Sequence, residues 1–326
     1  MSMDNNIIVY IDWIRHGFSC ANAIKMQGHT GAKNILKNVL NGKLGDSRGI
    51  YASDSLLSDV GVTQAEKVNH FFIERINQYD ILLCSELSRA VETAMLISKD
   101  SKVQKIYMVP YISEERSTAS LSLDSDNQAK DPSIIKLDLE NRFQTIDGYP
   151  LIDTFYVDKY KGTYNSKNKT NPDFKLFYDK VLPDILKNNL PGNRNIFSIG
   201  IVSHNFFIKK VFKTRYPKYL KQPIENLQIN TEILVMKNKK INYELPEECK
   251  NINMFYCQIP IKLQNKIAEK PKVLEKKDVE RCINLSSDSE KMEQLFEPKK
   301  GGYYDKYMKY KSKYMDLKKL HGSNNK

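Results

Sequence analysis

The chain has 326 residues, 40% of them hydrophobic and 28% charged, which suits one large domain or two small ones with a real core and excludes a disordered chain or a fibre. Its longest apolar runs, such as Ile7–Tyr10 and Ile81–Cys84, stop far short of the roughly 20 residues a helical membrane span needs. The net charge of +12 is 51 Lys and Arg against 39 Asp and Glu, and 42 of the 51 are Lys, a diffuse lysine excess that reads as ordinary solvation and gives no expectation of a nucleic-acid partner.

The first element is Ile7–Ile14, a β-branched apolar run of the kind that forms a strand buried on both faces, and it ends at Arg15-His16-Gly17. Residues 27–55 are rich in Gly, Asn, Lys and Ser and read as a long excursion. Thr63–Ile76 places Ala65, Val68, Phe72 and Ile76 at helical spacing, with Ser58 or Thr63 able to cap its start. A strand at Ile81–Cys84, a helix over Leu87–Ser98 and a strand at Lys105–Val109 follow.

That alternation predicts an α/β fold, a mostly parallel sheet flanked by helices. Thr118–Pro172 is polar, lacks a sustained period and reads as an insertion over the sheet edge. Beyond it, Phe174–Leu186 and Phe206–Tyr216 are expected helices, and Ile196–Val202, Thr231–Met236 and Asn253–Gln258 expected strands. One domain over residues 1–260, with insertions at 27–55 and 118–172, accounts for these elements.

Residues 261–300 read as a polar, solvated linker. At residues 301–320, Tyr303, Tyr307, Tyr310, Tyr314 and Leu317 make one apolar seam on a basic amphipathic helix, which either docks on its own domain or meets a protein partner. Five cysteines cannot all pair, and Met1–Asn6 holds no basic stretch leading into an apolar core. The expectation is reduced cysteines and a cytoplasmic setting.

Chemistry gathers where the strands end, the place where open α/β sheets form ligand sites. The first strand runs into Arg15-His16-Gly17-Phe18-Ser19-Cys20-Ala21-Asn22. The second delivers Arg89 into the first turn of a helix, where a planar guanidinium and the helix dipole both favour phosphate. The third offers Glu114 or Glu115, and the fourth ends in Ser203-His204-Asn205. Neighbouring strands could bring Arg/His, Arg, Glu and His to one cleft.

These segments resemble the motifs of the histidine phosphatase superfamily, the phosphoglycerate-mutase-like proteins. Arg15–Asn22 matches R-H-G-x-S-x-x-N, Leu57–Ala65 matches L-[ST]-x-x-G-x-x-Q-A, Ser85–Ala94 matches S-x-L-x-R-A-x-x-T-A, and Val202–His204 matches V-[ST]-H. The resemblance spans roughly residues 7–237 and implies a three-layer sandwich and a phosphatase that needs neither metal nor cofactor.

By that resemblance His16 is the nucleophile that becomes phosphohistidine. Arg15, Arg89 and His204 hold the phosphoryl oxygens, Asn22 matches a family position that contacts phosphate, and Glu114 is the general acid and base, with Glu115 the alternative; Asn205, next to His204, is a further substrate-binding candidate. The implied substrate is a small-molecule or protein phosphomonoester. Two other readings stand beside it: a phosphomutase, and an idle phospholigand-binding or virion-associated module acting through its tail. Asn205 stands where many members have Gly, and Ala21 where the glycolytic mutases have Trp, so a glycolytic mutase is not expected. The Tyr303–Lys318 stretch is similar to a Lys/Tyr tail on proteins of giant DNA viruses, which implies host cytoplasm or the virion as its location.

Overall fold

The computed structural model describes residues 7–26, 54–114, 129–143, 148–160, 172–190, 194–215, 224–237, 240–242 and 274–284. Their strands are β1 (Ile7–Arg15), β2 (Ile81–Ser85), β3 (Lys105–Val109), β4 (Leu151–Asp153), β5 (Ile196–Ser203), β6 (Ile229–Lys237) and β7 (Lys240–Asn242). All join one seven-stranded sheet, ordered β4-β3-β2-β5-β1-β6-β7. The first five strands pair in parallel, and β6 and β7 close one edge antiparallel. The sheet is thus mostly parallel, as the alternation of elements predicts.

Both faces are covered. From β1, Val9, Ile11 and Trp13 enter one core with Phe177, Tyr178 and Phe207. Ile14 on β1 and Leu82 and Cys84 on β2 enter a second core, under α2 (Asp59–Ile76) and α3 (Ser88–Ile97). This is why these strands are continuous apolar runs: in a parallel sheet each successive side chain meets a helix layer. Ser58 caps α2, its hydroxyl accepting from the Gly61 N–H, which decides between the two candidate caps.

The remaining helices among the described residues are α1 (Cys20–Met26), α4 (Pro132–Phe143), α5 (Phe155–Tyr160), α6 (Phe174–Leu176), α7 (Leu182–Asn189), α8 (Asn205–Arg215) and α9 (Glu280–Asn284). A π-helical turn, Phe177–Val181, joins α6 to α7. Pro183 sits in the first turn of α7, where its missing N–H breaks the α-helical ladder and the wider turn takes up the difference.

Two segments carry more structure than their composition predicts. Within 118–172, α4, β4 and α5 form, and β4 extends the sheet beyond β3. In α4 only Ile135 and Leu139 are buried, while Ile134 and Leu137 are 56% and 62% exposed, so apolar residues fall on both sides and blur the helical period. Within 261–300, a 3-10 turn (Lys276–Asp278) and α9 bury Leu274, Val279, Cys282 and Ile283 against Phe18, Cys20, Ala21 and Ala23. Four spaced apolar residues vanish in a lysine- and glutamate-rich average. The expected strand at 253–258 and the basic helix at 301–320 lie outside the described residues.

Candidate active site

Strands β1 and β5 are hydrogen-bonded neighbours in register, Arg15 opposite Ser203. The residues that follow, His16 and His204, therefore emerge side by side, their ring centroids 4.9 Å apart. Both imidazoles are buried, with 2% and 0% exposure. His16 Nδ1 lies 2.7 Å from the Gly17 carbonyl, and a carbonyl only accepts, so Nδ1 carries the proton and Nε2 keeps its lone pair. Arg89 Nε donates to that Nε2 at 3.3 Å, from the first turn of α3.

Each motif has a mechanical task. Gly17 N–H donates to Thr93 Oγ1, which in turn donates to the Arg89 carbonyl one helical turn back, so the Arg and Thr of the third motif fix the loop that holds His16. The second motif buttresses the same loop. Ser58 donates through both N–H and hydroxyl to the Phe18 carbonyl, and Gln64 Oε1 accepts the Phe18 N–H. Its glycine is sterically required, since a Cβ on Gly61 would stand 2.1 Å from the Phe18 carbonyl oxygen.

The acid enters from β3. Ser203 donates to the Ile112 carbonyl at 2.7 Å, locking the loop after β3 to the end of β5. Two residues on, Glu114 Oε1 accepts the Phe206 N–H in the first turn of α8. One ligand atom from each of His16, Glu114 and His204 falls within a mutual 4.8 Å. A metal ion fits such a trio in spacing, but Arg15 and Arg89 flank it, and a positive surround of this kind selects an anion.

Electrostatics follow burial. Burial first, then the Arg89, His16 and Arg15 charges, hold His204 well below the ordinary histidine range, so its imidazole is neutral at pH 7. Its Nε2 meets Ser85 Oγ at 2.9 Å, while Nδ1 is buried without a partner. Burial likewise lowers Arg15, opposed by the Glu114 and Glu225 carboxylates. Arg15 Nη1 donates to the Ile224 carbonyl, and its Nε is buried without a partner.

The structure therefore brings His16, Arg89, Glu114 and His204 together, with Arg15 electrostatically coupled to Glu114 and Arg89. Asn22 turns inward locally, its Oδ1 accepting from the Ser19 N–H and hydroxyl. Asn205 begins α8 with its Oδ1 buried and unpartnered. Glu115 and His29 lie outside the described residues, and His70 is exposed on α2 against Phe71.

Sequence reasoning missed Asp54 and Glu86. Asp54 accepts from the Ser88 N–H and hydroxyl, capping α3 where Leu87 has no side chain to do so. Glu86 is buried beside it, pushed up to about 8 by burial and then by the Asp54 charge. Asp54's only sequence signal was a carboxylate at the end of an otherwise unreadable excursion.

Two of the cysteines also depart from the reduced state expected. Cys20, inside the first motif, is joined to Cys282 of α9. Cys84 is buried and its thiol pushed far up by burial, which leaves no reactive thiolate. A separate cavity of about 680 Å³ is lined by Tyr10, Asp12, Phe71, Arg75, Tyr79 and Thr231 among others, and shares no residue with the histidine site. Both oxygens of its Asp12 are engaged by Arg75, Tyr79 and Thr231.

Comparisons with known proteins bear on this geometry. Residues 46–115 match the family model of the histidine phosphatase superfamily, branch 1. An uncharacterized protein of Acanthamoeba polyphaga mimivirus is 26% identical over 152 residues, 39% of this chain and 28% of its own length, so the match spans little more than a quarter of that relative. Among solved structures, a phosphoserine phosphatase variant from Entamoeba histolytica with bound phosphoserine aligns over 72% of this chain and 94% of its own, at 18% identity and TM-score 0.36. A putative α-ribazole-5'-P phosphatase of Escherichia coli covers 73% and 96%, at 16% identity and TM-score 0.35. A phosphoglycerate mutase from Bacillus anthracis covers 74% and 94%, at 14% identity and TM-score 0.32. The family model across residues 46–115 and the four ordered motifs thus agree in what this chain is similar to, the histidine phosphatase superfamily.

Proposed function

We propose that the chain is a phosphatase that hydrolyses a phosphomonoester through a phosphohistidine on His16. The observation that carries this reading is the convergence at four strand ends of an imidazole whose lone pair sits on Nε2, a second, neutral imidazole, two guanidinium groups and a carboxyl group. His16 Nε2 attacks phosphorus and the ester oxygen leaves, taking its proton from the Glu114 carboxyl. The Glu114 carboxylate then accepts a proton from water, whose oxygen attacks the phosphohistidine. Inorganic phosphate departs and His16 is regenerated.

Arg15, Arg89 and His204 supply donors to the phosphoryl oxygens, where the transition state carries its charge. The 3.3 Å contact from Arg89 to His16 is long, and a phosphoryl oxygen exchanges for it readily. Asn22 and Asn205 border the substrate in this reading, and the substrate is a small-molecule or protein phosphomonoester. The setting is the host cytoplasm or the virion; the Cys20–Cys282 disulfide supports the more oxidising of the two. The basic segment at 301–320 serves as an address or a partner-binding element.

Hydrolysis of a small aryl phosphate in EDTA tests the proposal. The native chain should turn over and His16→Ala should not. Equal turnover by both proteins, or turnover abolished by EDTA, would remove His16 from the mechanism.

A further inference from the structure

Asn226 is fully buried, at 0% exposure, and neither its Nδ2 nor its Oδ1 has a hydrogen-bond partner. A carboxamide stripped of water and left unpaired is costly, and such groups are few in folded proteins. Its position gives the cost a purpose. The segment Ile224–Gln228 is tied to Arg15 at three points: the Ile224 carbonyl accepts from Arg15 Nη1, Leu227 N–H donates to the Arg15 carbonyl, and Arg15 N–H donates to the Gln228 carbonyl.

The antiparallel register of β1 and β6 pairs Ile14 with Ile229. Past the strand end Leu227 and Gln228 both oppose Arg15, and the Gln228 N–H closes a turn on the Glu225 carbonyl, with Asn226 inside that turn. Leu227 holds a left-handed backbone, φ 58°, a conformation costly for a branched-side-chain residue and typical of functional turns. Buried unpartnered atoms also occur on Arg15, His204 and Asn205 at the same end of the sheet. An apolar residue at position 226 would avoid the cost altogether, so the amide points to a group that arrives from outside.

We infer that Asn226 is a further substrate-contacting residue, donating an Nδ2 hydrogen bond to a phosphoryl oxygen held by Arg15. This rests on the phosphoryl-transfer reading above. It is tested with orthovanadate as the probe, by calorimetric titration of the native chain, Asn226→Leu and Asn226→Ala, beside aryl phosphate kinetics and thermal melts. Asn226→Leu should melt higher than the native chain, because it removes an unpaired polar group at nearly constant shape. It should also bind orthovanadate about 10-fold or more weakly and lose a similar factor in kcat/KM.

Unchanged orthovanadate affinity in either variant would overturn the inference, and so would a lower melting temperature in Asn226→Leu, which would mark a structural amide. If the native chain binds orthovanadate but hydrolyses nothing, the phosphatase reading fails while the binding arm still decides the role of Asn226. If the native chain binds no orthovanadate, both fail.

Discussion

Two regions converge on the loop after β1, and they are built differently. The strand ends bring His16, Arg89, Glu114 and His204 to one point through chemistry-bearing side chains on short, regular connections. The segment 274–284 reaches the same loop from the far end of the chain, through the Cys20–Cys282 disulfide across 262 residues of sequence, an apolar cluster and an Arg281–Glu92 ion pair. Glu92 is fully buried on α3 and also accepts the Leu57 N–H. On the proposed function the first region acts on a ligand at a cost in buried polar groups, while the second holds the loop in place. Changes in the pocket should therefore cost activity and leave stability nearly intact, while changes in the strap should do the reverse.

The largest contrast is expected from Arg89→Ala. Losing one preorganised guanidinium from the proposed phosphoryl pocket should lower kcat/KM by about 10²- to 10³-fold, with a denaturation midpoint close to native. A large stability loss with intact kcat/KM would break the comparison at its strongest point.

Arg281→Ala should act oppositely. It leaves the buried Glu92 carboxylate uncompensated, which costs about 3–5 kcal/mol in urea unfolding, with kcat/KM per folded molecule within a few-fold of native. Cys282→Ser should cost about 2–4 kcal/mol by the same measurement, as expected of a disulfide closing a long loop. Because residues 281 and 282 are adjacent, the double variant should lose less than the sum of the two. Strict additivity would show that the strap is two independent contacts.

The smallest effect sharpens the electrostatics. The folded state holds His204 below the ordinary value of 6.5, so an unfolded chain takes up a proton on acidification that the folded chain resists. The stability linked to this group is full above pH 6.5 and lost as the pH falls below it. A bound phosphate or vanadate dianion reverses the local field and favours the imidazolium. Anion affinity should then rise several-fold from pH 7.5 to 6, and this dependence should be lost in His204→Gln. A flat profile in the native chain would place His204 outside the anion site.

Much of the pocket was legible because its chemistry restricts the choice of residue. A His beside an Arg, an Arg in a helix start and a His after a buried strand stay visible even in one sequence. The apolar runs of β1, β2 and β5 were legible for a related reason, since burial on both faces permits nothing else. What escaped was set by distant contacts. Strand β4 is three residues long and exists only by pairing with β3. In α9, Cys282 and Ile283 count as core only because Phe18, Cys20 and Ala21 lie beneath them. Asn226 resembles any loop asparagine until its burial and unused hydrogen bonds are seen.

The central claim is that His16 Nε2 becomes covalently phosphorylated, and trapping that species tests it most directly. The native chain would be mixed with excess aryl phosphate in EDTA, quenched within milliseconds at alkaline pH and measured by intact mass, beside His16→Ala. A phosphate-sized mass gain located on His16, absent from the variant and lost on acid treatment, is the predicted result. Turnover by the native chain with no adduct at any quench time, or an adduct that persists in His16→Ala, would contradict it.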